Sequence, residues 1–169
     1  MQFKTHSKKP LSPSGVTLLE VVLVSAVLLI LLGVVYSLVS PSASKAKARD
    51  NKRLSDISNL DRAINEYRID RQSYPGSQNV LYTSITTPAG SPNVYSPTSG
   101  WIPADLSDYL PKYPTDPIND LTYYYEYIQN GSGYEISARM EYLTEEPQND
   151  GGNDPLKYEL GTNLLLISP

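Results

Sequence analysis

Cysteine is absent from the 169 residues, and the chain has a single histidine, a single tryptophan and a single phenylalanine. Without thiols there can be no disulfide framework and no thiolate metal centre. The histidine is His6, close to the N-terminus, so the remainder of the chain offers neither an imidazole base nor a thiol nucleophile for acid–base or covalent catalysis. No glycine-rich phosphate cradle of the Walker or dinucleotide type occurs. Adjacent acids such as Glu145 and Glu146 stand in a polar stretch with no apolar pocket to split their acidities. An enzyme is not expected.

Charge is also missing, over one long stretch. From Val21 to Val39 no residue is ionisable except Tyr36, and at helical rise this run makes a rod of ~28 Å, about the hydrocarbon thickness of a bilayer. It reads as a membrane span. Glu20 sits at its edge, where an unpaired carboxylate costs a few kcal/mol if it enters lipid, roughly 3 on insertion scales. Ahead of it, Lys4, His6, Lys8 and Lys9 lead to Gly15 with no acid, a positive cytoplasmic flank. A secretory signal places its small-residue cleavage junction after the apolar region. Here the junction Ser14-Gly15 precedes it, so a cut there would leave the hydrophobic helix on the mature chain.

Gly15-Val16-Thr17-Leu18-Leu19-Glu20, followed by the apolar run, resembles the class III signal of the type IV pilin and pseudopilin family. That pattern is a basic leader, Gly, an apolar residue, Thr, two apolar residues, Glu and a long apolar helix; the chain departs from it only mildly, in having Val16 where the family most often has Phe or Met. The resemblance implies that a prepilin peptidase cuts between Gly15 and Val16. It also implies N-methylation of Val16 and assembly of the subunits through Thr17, Glu20 and the helix into a helical homo-oligomer. Partners so implied are the peptidase, an inner-membrane assembly platform and, before assembly, the lipid bilayer.

Charge elsewhere falls in blocks. Residues 41–71 carry eight basic residues against five acids, a net of +3, whereas residues 72–169 carry three against twelve, a net of −9. An acidic head on a basic neck suits stacked subunits, or is only a solvated surface, and it repels nucleic acid. The basic run Lys45-Ala46-Lys47-Ala48-Arg49 beside the span suits lipid head groups or an acidic neighbour.

After a kink expected near Pro41, Ala43, Ala46, Leu54, Ile57, Leu60, Ile64 and Tyr67 recur at three- and four-residue spacings and predict an amphipathic helix to about Asp70. Span and neck together would be one helix of roughly 50 residues, ~75 Å long. Gln72-Ser73-Tyr74-Pro75-Gly76 ends it. A proline-rich loop follows, with a short helix predicted over Pro103–Leu110. Tyr109-Leu110-Pro111-Lys112-Tyr113-Pro114-Thr115-Asp116-Pro117 resembles the approach to the sheet in major pseudopilins of type II secretion. Leu121–Ile128 reads as a strand, Asn130-Gly131-Ser132-Gly133 as its turn in preference to a glycosylation site, and Tyr134–Met140 as the return strand. Tyr134, Ile136, Ala138 and Met140 would cover the neck helix. Leu164–Ile167 is the predicted closing strand. Most of the fourteen tyrosines are expected half-buried in the sheet rather than forming an adhesive surface.

The expected fold is therefore α+β and pilin-like: a long N-terminal helix, first transmembrane and then amphipathic, packed on a small antiparallel sheet. Its parts are a cleaved leader (1–15), a membrane and assembly helix (16–40), an amphipathic helix (41–71), a variable loop region (72–120) and the sheet head with its C-terminal loop (121–169). One cofactor has a physical basis. Asn149, Asp150, Asn153 and Asp154 stand in a glycine-containing loop whose oxygens suit calcium, without the spacing of an EF-hand, and the resemblance to calcium-binding major pseudopilins points the same way; a solvated turn is the alternative. Three functional readings follow: a subunit of a pilus-like filament, a type II secretion pseudopilin acting as a piston, or an uncleaved, membrane-anchored, calcium-stabilised adhesin. The first two place the head outside the cytoplasmic membrane before assembly and in a surface pilus or envelope fibre afterwards.

Overall fold

The computed structural model describes residues 15–38 and 41–169. The chain falls into two units, one up to residue 40 and one from 41 to 169. In the first, helix α1 (Leu18–Leu38) is long and apolar enough to cross a membrane, and none of its spanning stretch Leu18–Tyr36 is buried within the subunit. Leucine, valine and isoleucine on every side leave no polar face, as a helix in lipid requires. The continuity of the helix across residues 39 and 40, and the kink expected there, lie outside the described residues.

The second unit opens with α2 (Pro41–Arg71). Pro41 is its first residue, where the missing N–H is no loss and φ is already set for a helix. At its other end Gln72 takes a left-handed φ of 56° and its N–H returns to the Arg68 carbonyl at 2.8 Å, which closes the last turn. Facing α2 is an antiparallel sheet in the order β1 (Tyr82–Thr83), β2 (Tyr125–Gln129), β3 (Tyr134–Arg139), β4 (Lys157–Gly161). A single-turn helix, α3 (Glu145–Asn149), precedes β4.

The apolar stripe of α2 is where its spacing puts it: Ile57, Leu60, Ala63 and Ile64 are buried against Tyr125, Tyr127, Tyr134, Ile136 and Ala138. The loop region contributes Trp101, Ile102, Leu106, Leu110 and Tyr113 to the same core. Most of the tyrosines named here reach the interior with a partner for the hydroxyl: Tyr125 to Asp56, Tyr127 to the Pro75 carbonyl, Tyr134 to Asp61 and Tyr113 to the Ala104 carbonyl. The hairpin turn is also as predicted, with the Asn130 side chain accepting from Ser132 and Gly133 N–H and Gly131 at φ 86°.

Three expectations fail, each because a side chain or a loop carbonyl takes a backbone group that a regular element would use. The strand predicted from Leu121 begins only at Tyr125, because Asp120 captures the N–H groups of Thr122 and Tyr123 at 2.8 Å each and curls the chain into a turn. Over Pro103–Leu110 there is one hydrogen-bonded turn and no helix: Leu106 N–H bonds to the Pro97 carbonyl and Asp105 takes Ser107 N–H. Leu164–Ile167 is not a strand, because Leu166 and Ile167 donate to the Glu135 carboxylate at 2.8 and 2.9 Å; the closing strand is Lys157–Gly161. The outer face of the hairpin is buried as well. Glu126, Glu135, Ser137 and Glu159 are all buried under the 150–156 loop and the C-terminal residues. Two elements, β1 and α3, have no precedent in the sequence reading, which assigned their residues to loops.

Candidate functional site

Two places carry the candidate functional residues, one in each unit. In the first, Gly15, Val16 and Thr17 form a non-helical, exposed lead into α1. The Thr17 carbonyl accepts from Val21 N–H at 3.2 Å and its hydroxyl accepts from Glu20 N–H, also at 3.2 Å. Thr17 therefore caps the helix, and Glu20 occupies the third helical position, the pattern of a capping box. An acid in the first turn is also favoured by the helix dipole. The Glu20 carboxylate is exposed and makes no ion pair among the described residues. Exposure of Gly15 and Val16 leaves the bond between them open to attack. The leader ahead of them lies outside the described residues.

In the second unit the centre is Arg53, which the sequence reading placed merely in a basic neck. Its guanidinium is wholly buried. Asp116 binds it in fork geometry (Nε to Oδ2 2.6 Å, Nη2 to Oδ1 2.9 Å), and Nη1 reaches Asp50 at 2.7 Å and Glu141 at 2.5 Å. The Tyr123 ring lies 4.8 Å from the guanidinium carbon. Although burial opposes its charge, these bonds to carboxylates raise the Arg53 pKa, so it is a permanent cation. Arg49 also grips Glu141, and this bond above all holds the Glu141 carboxyl below its usual range. Asp50 in turn accepts from the N–H groups of Glu141, Tyr142 and Leu143. One ionic cluster thus fastens α2 to the segment entering the sheet and to the turn leaving β3. The sequence signal that could have found it is Asp50-x-x-Arg53, an i,i+3 charged pair in line with the apolar stripe of Ala46, Ile57, Leu60 and Ile64.

The four calcium candidates all have hydrogen-bond partners in or beside the loop. Asn149 donates to the Glu145 carbonyl; Asp150 accepts from Gly152 and Glu159 N–H; Asn153 donates to the Ile167 carbonyl; Asp154 accepts from Leu156 N–H and lies 3.6 Å from Lys157. Among the described residues no group of three or more acidic or histidine side chains is placed to hold a metal. Each of the four is held in the loop by the hydrogen bonds just given. In α1 the ionisable side chains are Glu20 and Tyr36, and the residues of the ionic cluster are spent on one another.

Comparison with known proteins agrees with this geometry. Residues 41–141 match the family model of type II secretion system protein G, a stretch that takes in α2, the loop region, the hairpin and Glu141 of the ionic cluster. The chain is similar to the type II secretion system core protein G of Aeromonas hydrophila, 34% identical over 106 residues, 62% of this chain and 66% of that protein. That of Pectobacterium carotovorum is 35% identical over 105 residues, 61% of this chain and 60% of its own length, and that of Vibrio cholerae is 32% identical over 127 residues, 73% and 76%. The matched stretch is under two thirds of the first two relatives' length. No solved structure matches the chain significantly. With the apolar α1, the α2 helix and the small antiparallel sheet, the match settles the family: the chain belongs to the type II secretion system protein G family of type IV pilin-like pseudopilins.

Proposed function

We propose that this chain is the repeating structural subunit of a short envelope fibre in a type II secretion system. The observation that carries the reading is the match over residues 41–141 to protein G of that system; it favours the secretion fibre over a long surface pilus, the reading that the N-terminal signal alone put first. The role is structural rather than catalytic. The subunit starts as a single-pass membrane protein held by α1, with the basic leader on the cytoplasmic side and the head beyond the membrane. Trimming between Gly15 and Val16 by a prepilin peptidase leaves Val16 as an N-methylated terminus. The subunit then leaves the bilayer through an assembly platform and packs by its helix against copies of itself.

Two measurements test this. Deleting the gene stops export of the host's secreted enzymes and leaves long surface filaments unchanged; loss of filaments with export intact would reverse the assignment to a secretion fibre. Mass spectrometry of the mature subunit finds a chain beginning at methylated Val16. Gly15→Asp blocks the cut, because a charged side chain replaces the smallest residue at an exposed junction, and the full-length chain accumulates in the membrane. A Gly15→Asp subunit trimmed at the wild-type rate would remove the peptidase from the reading.

A further inference from the structure

One end of the head carries apolar side chains and cations that its fold does not use. There β2 begins, β3 ends and β4 begins, since Tyr125 pairs with Ala138 and Arg139 with Lys157. The early turns of α2 meet the same end: Arg49 binds Glu141, and Asp50 accepts from Tyr142 N–H at 2.7 Å, both just past β3. Each of the three strand ends leaves a large apolar side chain in the open. Leu121 ahead of β2 is 89% exposed, Tyr142 after β3 51% and Leu156 ahead of β4 52%. Leu121 also lines an open cavity with Tyr124, Arg139 and Lys157.

The charges at this end are unequally spent. Lys45 and Lys47 on α2 and Arg139 on β3 are exposed and form no ion pair among the described residues. Most of the acids beside them are taken: Glu141 by Arg49 and Arg53, Glu126 by Lys157 and Ser137, Asp120 by Thr122 and Tyr123 N–H. Glu145 and Glu146 of α3 are the acids left without an ion pair among the described residues. Acids elsewhere on the head act only weakly on a surface facing this end, because salt at physiological strength screens charges beyond about 8 Å. Exposed leucine and tyrosine interleaved with free lysine and arginine fit a membrane interface, where the apolar groups enter the head-group layer and the cations meet phosphates. Chain order names the occupant. Helix α2 starts at Pro41, three positions after the end of α1 at Leu38, and α1 is long and apolar enough to cross a bilayer.

We infer that the unassembled subunit docks this end of its head on anionic phospholipid, with Lys45, Lys47 and Arg139 on lipid phosphates and Leu121, Tyr142 and Leu156 in the head-group layer. The inference rests on the reading of α1 as a membrane anchor. It adds a second, reversible lipid contact to that anchor. A subunit joining the fibre has to give this contact up, so the anionic lipid content of the membrane sets part of the cost of extraction.

Because the chain has no cysteine, Leu121→Cys takes one environment-sensitive fluorophore at an exposed position. Full-length protein carrying it is placed, one copy per disc, in nanodiscs of phosphatidylcholine with or without phosphatidylglycerol, each containing a nitroxide-bearing quencher lipid. With phosphatidylglycerol the Leu121 label is quenched and its emission moves to the blue; without it both effects shrink. The same label at Ser132, in the turn at the opposite end of the hairpin, stays unquenched in both lipids. Arg139→Gln removes one unpaired cation and lowers the ratio of docked to undocked heads about fivefold, the worth of one basic residue at an anionic surface. A Leu121 label unquenched in both lipids, or quenched to the same degree whatever the lipid charge and the residue at 139, overturns the inference. So does a blue shift that develops only with several copies per disc, which would make a neighbouring subunit the occupant. A label on Leu29→Cys within α1 is quenched in every disc; its failure to quench would refute the anchor itself rather than the docking.

Discussion

Arg53→Ala unfolds or nearly unfolds the head. Removing this guanidinium strips the buried Asp50 and Asp116 of their cation and takes from Glu141 its bond to the core, leaving Arg49 as that acid's remaining partner. Breaking a buried ion pair by deleting one partner costs about 3–5 kcal/mol, a large part of the roughly 5–15 kcal/mol that keeps a domain folded. Each carboxylate freed here anchors a different piece of chain, so the loss propagates: Asp50 holds the turn at 141–143, and Asp116 accepts from Ile118 and Asn119 N–H ahead of β2. Arg53→Lys retains a charge but cannot grip Asp116 in fork geometry while also reaching Asp50 and Glu141, and recovers only part of the loss. Circular dichroism of the full-length variant during thermal unfolding checks this. A melting temperature within a degree or two of wild type would show that the cluster is replaceable by water.

Glu20→Val leaves insertion and trimming intact and abolishes efficient fibre assembly. Thr17 caps α1 through its own hydroxyl and carbonyl, so the helix does not need the Glu20 carboxylate to form. Valine also enters lipid at less cost than a carboxylate. What valine cannot do is attract the α-amine that trimming creates on Val16. That amine has an ordinary pKa of about 7.7–8.0, and a methyl group leaves its charge in place. On the proposed assembly, an attraction between the amine of an incoming subunit and Glu20 of its neighbour would act over a longer range in a low-dielectric surrounding than in water and would set register as well as affinity. Glu20→Asp keeps the charge on a shorter arm and retains part of the activity. Cross-linked ladders of assembled subunits, normalised to membrane-bound monomer, measure the effect: ladders at wild-type level in Glu20→Val would show that the carboxylate is merely interfacial.

Much of this molecule was legible because its signals are periodic or local. The apolar helix follows from an uncharged run, the core stripe of α2 from helical spacing, the hairpin from alternation around Asn130-Gly131, and the pilin-like family from the six residues Gly15 to Glu20 ahead of the run. What was not legible depends on side chains that reach across the chain to backbone groups. Asp120 delays β2, Glu135 pre-empts a strand at 164–167, and Asp50 gathers three N–H groups from more than ninety positions away. Charged residues in such positions look solvent-facing to any pattern of apolar and polar, so burial of Glu126, Glu135, Glu159 and Arg53 is not visible in it. Asp and Asn in the glycine-rich loop of residues 149–154 suit metal ligation and turn formation alike, so sequence by itself leaves both readings open.

The lone tryptophan has an optical consequence. Trp101 is fully enclosed, with its indole N–H on the Pro114 carbonyl at 2.9 Å and the Tyr113 ring 6.2 Å away edge-on. Further tyrosines crowd the same interior. Light absorbed by those phenols passes to the indole by dipolar energy transfer, so the native protein emits as a shielded tryptophan at short wavelength despite holding fourteen tyrosines and one tryptophan. When the loop around Trp101 comes away, the emission shifts to the red and a separate tyrosine band emerges beside it. The ratio of the two bands is a label-free gauge of whether the loop region still lies on α2, readable in intact membranes without altering a residue.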